Sequence, residues 1–252
     1  KARRQGVAGR RGALTASMAE SPPSGATAAP HWPVRSFVRR QGRQSPAQKR
    51  ALIELAPQHC IDYREAPLDF AAVFGRHAPV VLEIGFGMGE TTANIAATHP
   101  HVDFLAIDVH DPGVASLLRQ IDARSLRNVR IVRHDAVDVV ATMVPRASLG
   151  GVHVYFPDPW PKKRHHKRRL LKSAFLHELA LRIAVGGYLH AATDWQEYAD
   201  EILATCEAEP LLANTARGFA ARPAWRPLTK FETRGLKLGH AVSDVLFTRI
   251  AR

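Results

Sequence analysis

The 252-residue sequence predicts an α/β fold: a doubly wound, mostly parallel sheet with helices on both faces and an antiparallel strand pair at the C-terminus. Three observations carry that prediction. Apolar runs of strand length recur at 80–85, 103–109, 128–134, 152–156 and 187–193. Helical stretches separate or follow them, at 90–98, 112–124, 136–142, 168–184 and 195–207. The first of those strands also runs straight into a glycine-rich turn. Strands alternating with helices argue a parallel sheet, and a glycine turn at a strand's carboxyl end is where Rossmann-like folds seat a ligand. The final segment breaks the rhythm: 227–233 and 242–250 read as two β-like runs joined through glycine-containing sequence, the expected antiparallel pair.

The elements follow in chain order. Residues 1–34 form a Pro/Gly/Ala/Ser-rich leader that reads as disordered. The chain opens on Lys1, and Met18 offers an alternative start. Residues 35–56 read as a basic arm followed by a helix over about 46–56, which Ser45 and Pro46 open as an N-cap and first-turn pair. Residues 57–252 make up the predicted catalytic domain. Residues 1–50 hold eleven Lys and Arg against the single acid Glu20, so they supply ten of the twelve net positive charges. A basic arm of that kind suits nucleic acid.

Composition excludes several classes. The hydrophobic fraction of 46% allows a packed core, yet no apolar run approaches the roughly 20 residues that cross a bilayer. Cys60 and Cys206 lie far apart, with no CxxC spacing, and the thirteen His show no ligand spacing, so neither a disulfide framework nor a metal site is expected. The expected setting is cytoplasmic. One basic domain is compatible with a monomer or a homodimer.

The glycine turn is Gly85-Phe86-Gly87-Met88-Gly89. Its G-x-G-x-G spacing differs from the dinucleotide pattern G-x-G-x-x-G, and the G-x-x-x-x-G-K-[ST] of triphosphate sites is missing. Asp108 ends the next strand about 20 residues on, where a carboxylate can accept two hydrogen bonds from a ribose diol. Glu83 sets a second carboxylate near the position of a sulfonium and an ammonium, and Asp135 ends the following strand where an adenine would lie. Glu83, Gly85, Gly87, Gly89, Asp108 and Asp135 together point to S-adenosyl-L-methionine as cofactor.

The most informative stretch runs from 154 to 169. A strand delivers Asp158 to its end, between Pro157 and Pro159, which stiffen the turn. Seven Lys and Arg between Lys162 and Lys172 follow, with His165 and His166 among them. A basic run at the edge of the sheet can hold a polyanion beside a methyl donor, through phosphate contacts that do not depend on sequence. The motifs RSFVRRQGR at 35–43, VLEIGFGMGE at 81–90, IDVHDPGV at 107–114, HDA at 134–136, FPDPWPKKRHHKRRL at 156–170, ATDWQEYA at 192–199 and TKFETRGLKLGH at 229–240 resemble, in order, the bacterial tRNA (guanine-N7-)-methyltransferase family. The resemblance implies methyl transfer to N7 of a guanine in tRNA, in the variable loop. It implies cofactor contacts at Glu83, Asp108, Asp135 and Asp158, and substrate contacts at Lys162, Asp194, Thr229, Lys230, Phe231 and Glu232. It implies RNA-backbone contacts at Arg164, His165, His166, Lys167, Arg168 and Arg169. Asp108 departs from the family's usual Glu, so its shorter side chain needs a closer approach or a water.

The chemistry fits independently. Guanine N7 carries a lone pair and no proton, so transfer from a sulfonium is a direct in-line displacement without a general base or a covalent enzyme intermediate. Guanine's N1–H and exocyclic amine suit a carboxylate. Either Asp194 or Glu232 is expected to read that edge, with Asp158 catalytic at the junction of cofactor and base. Structural readings stand beside these: Asp194 could cap the helix after it, and Asp158 could shape its turn. Two rival functions are a methyltransferase of the same fold acting on a small molecule or a protein, and an RNA-binding module without catalysis.

Overall fold

The computed structural model describes residues 35–37, 44–229, 232 and 241–252; the leader, most of the 35–43 motif, and Lys230 and Phe231 lie outside the described residues. Among the described residues eight strands form one sheet: β1 (Cys60–Ile61), β2 (Val80–Ile84), β3 (Asp103–Ile107), β4 (Val129–Val132), β5 (Leu149–Tyr155), β6 (Ile183–Thr193), β7 (Leu212–Asn214) and β8 (Ser243–Arg249). Their order is β1-β4-β3-β2-β5-β6-β8-β7. The first six pair in parallel, and β8 lies antiparallel between β6 and β7. The order reverses between β2 and β5, the switch point at which a crevice opens beyond the strands' carboxyl ends.

Among the described residues the helices with defined bounds are α1 (Pro46–Glu54), α2 (Ala56–His59), α3 (Phe70–Phe74), α4 (Glu90–Thr98), α5 (Asp111–Ala123), α6 (Ala136–Thr142), α7 (Ser173–Arg182) and α8 (Gln196–Glu207). Successive strand residues send side chains to opposite faces. Val80, Leu82 and Ile84 of β2 therefore join Val139, Leu176 and Ile202 from α6, α7 and α8. Val81 joins Ala93, Leu117 and Ile121 from α4 and α5 on the other face. All five β2 residues are buried, as expected of a parallel strand covered on both sides.

Local chemistry sets several boundaries. Ser45 Oγ accepts from Gln48 N at 3.2 Å while Gln48 Oε1 accepts from Ser45 N at 2.9 Å, a capping box that starts α1. Asp69 and Asp135 cap α3 and α6 by accepting from backbone N–H groups.

Two expectations are corrected. The helix expected over 168–184 begins only at Ser173, because Lys163–Arg168 winds as a 3-10 turn. That basic run offers no apolar stripe to pack against the sheet. The partner of the last strand is not 227–233: β8 pairs with β6 and with Leu212–Asn214. In the replaced region Pro227 has no N–H for a ladder, Pro227–Thr229 carry no strand, and Glu232 is helical.

Candidate active site

The crevice lies where β2 and β5 end, bounded by the glycine turn on one side and the 156–160 loop on the other. It is a cavity of about 250 Å³ lined by Gly85, Gly87, Asp108, Asp135, Phe156 and Asp158 among others. Gly85 and Gly87 have φ of 74° and 57°, left-handed values that disfavour any side chain. A Cβ built on either would meet nothing within 4 Å, so the turn shows bare backbone to open space. Gly89 has another reason to be glycine: its Cβ would fall 2.6 Å from Leu117 Cβ, so it lets α4 and α5 approach. Gly113 closes the same contact from α5, where a Cβ would sit 2.1 Å from Gly87 O. Nothing singled out Gly113 in the sequence, although a glycine in the first turn of a helix was a local signal.

The carboxylates differ in how they are held. Asp108 follows β3, and its Oδ2 accepts from Gly87 N at 3.0 Å while Oδ1 accepts from His110 N at 2.9 Å. Its side chain thus braces the glycine turn and keeps lone pairs for a ligand. Burial raises its pKa, and the backbone N–H groups of His110, Gly87 and Val109 oppose the rise. Asp135 Oδ1 accepts from Val137 N at 3.0 Å, and burial likewise raises its pKa. Glu83 is buried one residue before the end of β2 and does not line the cavity. Its Oε2 has no hydrogen-bond partner, and desolvation pushes the carboxyl up to about 7.

Asp158 stands apart from these three. It is exposed, lines the cavity, and its side chain makes no hydrogen bond among the described residues. The loop carrying it is strained: Phe156 and Trp160 adopt φ of 50° and 46°, which non-glycine residues rarely do. Trp160 is held by three contacts. Its Nε1 donates to Ser36 O at 3.2 Å, Arg168 lies 5.2 Å over its ring, and His165 meets it edge-on. The basic arm is therefore tied to the loop, and Ser36 and Phe37 form part of the cavity wall.

The basic turn divides into two groups. Lys162, Lys163, Arg164 and Lys167 are exposed, with His165 and Arg168 half-buried beside them. Partial desolvation and the cations Arg164, Arg168, Lys162 and Lys167 hold the His165 pKa below its ordinary value. Arg169 corrects the expectation of an RNA contact, since its side chain is only 1% exposed. Its Nε donates to Pro159 O at 2.9 Å, Nη1 pairs with Glu201, and the guanidinium lies 4.9 Å over the Tyr198 ring. It ties the Asp158 loop to α8 and has no free face for a phosphate. His166, half-buried, sits 3.5 Å from Glu197 and 3.1 Å from Arg169 and shares that anchor.

The residues expected to read the base also separate. Asp194 follows β6, and Ala192 pairs with Tyr155 of β5, so Asp194 and Asp158 emerge from adjacent strand ends. Asp194 is exposed and does not cap α8: Thr193 Oγ1 takes the Trp195 N–H at 3.2 Å. Glu232 is buried, with both oxygens bonded to Arg226. Thr229 N donates to Glu232 Oε2 at 3.4 Å, and Thr229 Oγ1 accepts from Glu232 N at 3.0 Å. The T-x-x-E of TKFE is thus a capping box, a local signal the sequence carried. Arg226 was missed, because nothing nearby in sequence marks an arginine as fully buried.

Comparison with known proteins narrows what this arrangement belongs to. The family model described as "Putative methyltransferase" matches residues 77–245. A tRNA (guanine-N(7)-)-methyltransferase of Aromatoleum aromaticum is 61% identical over 216 residues, covering 86% of this chain and 83% of that protein. The chain belongs to the tRNA (guanine-N7-)-methyltransferase family. A second member, from Nitrosospira multiformis, is 57% identical over 220 residues, covering 87% of this chain and 96% of its own length. Among solved structures, the 16S rRNA methyltransferase KamB covers 73% of this chain and 93% of its own, at TM-score 0.51 and 16% identity. The antibiotic-resistance methyltransferase Kmr covers 73% and 92% at TM-score 0.51 and 17% identity. Those two likenesses show the fold alone. As expected of the family's cofactor, the cavity fits S-adenosyl-L-methionine: bare glycine backbone lines it together with Asp108, which braces that turn, and Asp135, while the Glu83 oxygen without a partner is buried outside the lining.

Proposed function

We propose that the chain transfers a methyl group from S-adenosyl-L-methionine to N7 of a guanine in the variable loop of tRNA. One observation supports this reading most: an exposed carboxylate without a side-chain hydrogen bond, Asp158, lies between the glycine-turn cavity and a turn rich in exposed cations. The cofactor supplies an electrophilic methyl. Asp108 would hold its ribose and Asp135 its adenine, while Glu83 balances its positive charge from behind.

The chain's own work is mainly orientation. N7 has a lone pair and no proton to remove, so the displacement needs alignment and exclusion of water rather than a base. Asp158 would grip the reacting pair, and Asp194 from the adjacent strand end would accept from guanine's donor edge. As charge moves from sulfur to the purine, both carboxylates would stabilise the cation. Lys162, Lys163, Arg164, Lys167 and Arg168 would hold phosphates. Thr229, Lys230 and Phe231 would complete the acceptor side. The arm at 35–56 and the leader at 1–34 would extend the basic surface, in the cytoplasm. No helix among the described residues is long and apolar enough to cross a membrane.

The test is transfer of labelled methyl from S-adenosyl-L-methionine to unmodified tRNA, with product nucleosides resolved by mass spectrometry. N7-methylguanosine is the expected product. Cofactor binding without methylation of tRNA would leave the fold and remove the substrate.

A further inference from the structure

One ionic cluster of the described residues is buried throughout and contributes nothing to the lining of the cofactor cavity. Arg226 is fully buried on the sheet face where 220–229 runs instead of a helix. Its Nη1 and Nη2 donate to Glu232 Oε2 and Oε1 at 2.6 and 2.9 Å. Its Nε and Nη2 donate to Asp244 Oδ1 and Oδ2 at 2.8 and 2.9 Å. Asp244 is the second residue of β8, paired in register with Ala192 of β6. Its Oδ1 is also 2.7 Å from His190 Nε2, and His190 Nδ1 is 3.0 Å from the Tyr155 hydroxyl. A single guanidinium, with the Thr229 contact to Glu232, therefore ties Thr229 and Glu232 to the strands that deliver Asp158 and Asp194.

The geometry points to Arg226 as a positioning residue for methyl transfer, one that holds Glu232 and so leaves the guanine edge to Asp194. The inference rests on the proposed acceptor being guanine. Reading N1–H and the amine together needs two carboxylate oxygens facing the base side by side. Both Glu232 oxygens already face the fork of Arg226, and one also accepts from Thr229 N. Turning that carboxylate to a base would strand a buried guanidinium on Asp244 and open the capping box. Asp194 carries no such obligation.

Two substrates separate the roles: tRNA with its target guanosine, and the same tRNA with inosine there, which keeps N7 and N1–H but lacks the amine. The native enzyme should methylate the inosine substrate about 10-fold or more slowly, the usual worth of a hydrogen bond to a charged group. Asp194→Ala should bring the two rates together. Glu232→Gln and Arg226→Lys should slow both substrates by one common factor and preserve the ratio. The double variant Arg226→Lys/Glu232→Gln should be no slower than the worse single variant, because the two side chains act as one unit. Glu232→Gln is nearly isosteric and keeps the test available if Arg226→Lys does not fold. Collapse of the ratio in Glu232→Gln, multiplicative losses in the double variant, or equal rates on both substrates in the native enzyme would each overturn the inference. No N7-methylation of the guanosine tRNA at all would instead remove the proposed function beneath it.

Discussion

The two halves of the sheet build their share of the site by different physics. On the β4-β3-β2 side, apolar strands lie between helices, and the ligand-facing groups are backbone or side chains tied to nearby backbone: the glycine turn, Asp108 on Gly87 N, Asp135 on Val137 N. On the β5-β6-β8 side, one face carries Tyr155, Tyr188, His190 and Asp244 beneath an irregular segment, and buried ion pairs do the positioning. The first half can be rigid on local terms. The second depends on partners far apart in the chain, and buried pairs of this kind are costly to break from one side. The proposed cofactor side thus rests on generic architecture, and the proposed acceptor side on a specific cluster.

The largest expected effect falls where the halves meet. Asp158→Ala should lower kcat/KM for tRNA by about 100-fold or more, the range seen when a charge-stabilising group is removed. The protein should stay folded, because this side chain supports no hydrogen bond among the described residues. Near-normal turnover would move the chemistry away from the junction.

Glu83 probes the cofactor half by pH. Its folded pKa of about 7 lies above the ordinary 4.5, so the fold favours the protonated carboxyl. The native protein should therefore lose stability as pH rises from 4.5 to 7 and level off above. Glu83→Gln lacks this loss, and the difference between the two should grow to about 3 kcal/mol, roughly 1.4 kcal/mol for each pKa unit. Urea midpoints of both proteins at pH 5, 6, 7 and 8 give the curve, and a flat difference would show the carboxyl to be solvated.

Gly113→Ala sets a Cβ 2.1 Å from Gly87 O and should cost about 1–3 kcal/mol while weakening cofactor binding. Gly150→Ala is the control: its Cβ would find nothing nearer than 3.4 Å. Thermal unfolding and cofactor titration of the pair sharpen the claim that the cofactor half works through backbone approach.

The smallest effects divide the basic turn. Lys163→Ala and Arg164→Ala should each flatten the plot of log affinity for tRNA against log salt by about 0.7–0.9 per lost phosphate contact. Arg169→Ala should leave that slope alone and lower the melting temperature, since its guanidinium is buried on Pro159, Glu201 and Tyr198. An equal change of slope in all three would return Arg169 to the RNA.

What was legible in the sequence follows the reach of each interaction. The bounds of α4 and α6 match the sequence reading because a glycine turn and an aspartate cap mark them within a few residues. The carboxylates at the ends of β3 and β4 were legible because strand ends carry them to the edge. The two-residue β1 and the five-residue α3 went unread, being too short to show a period. The mate of β8 was misread: in 227–233 the apolar Leu228 and Phe231 stand three apart rather than in the alternation of a strand, and Pro227 brings no N–H to a ladder.

By itself, then, the sequence determined the doubly wound sheet, the crevice at the end of β2 and the family, since periodicity, a glycine turn and contiguous motifs are local properties of the chain. Tertiary structure alone decided which charges are available. Arg169 and Lys163 belong to one basic run, and Glu232 and Asp194 to one set of carboxylates, yet in each pair one side chain is spent inside and the other is free. That choice depends on Glu201, Tyr198, Arg226 and Asp244, which only folding brings within hydrogen-bonding distance, where desolvation makes an unpaired charge too costly to leave alone.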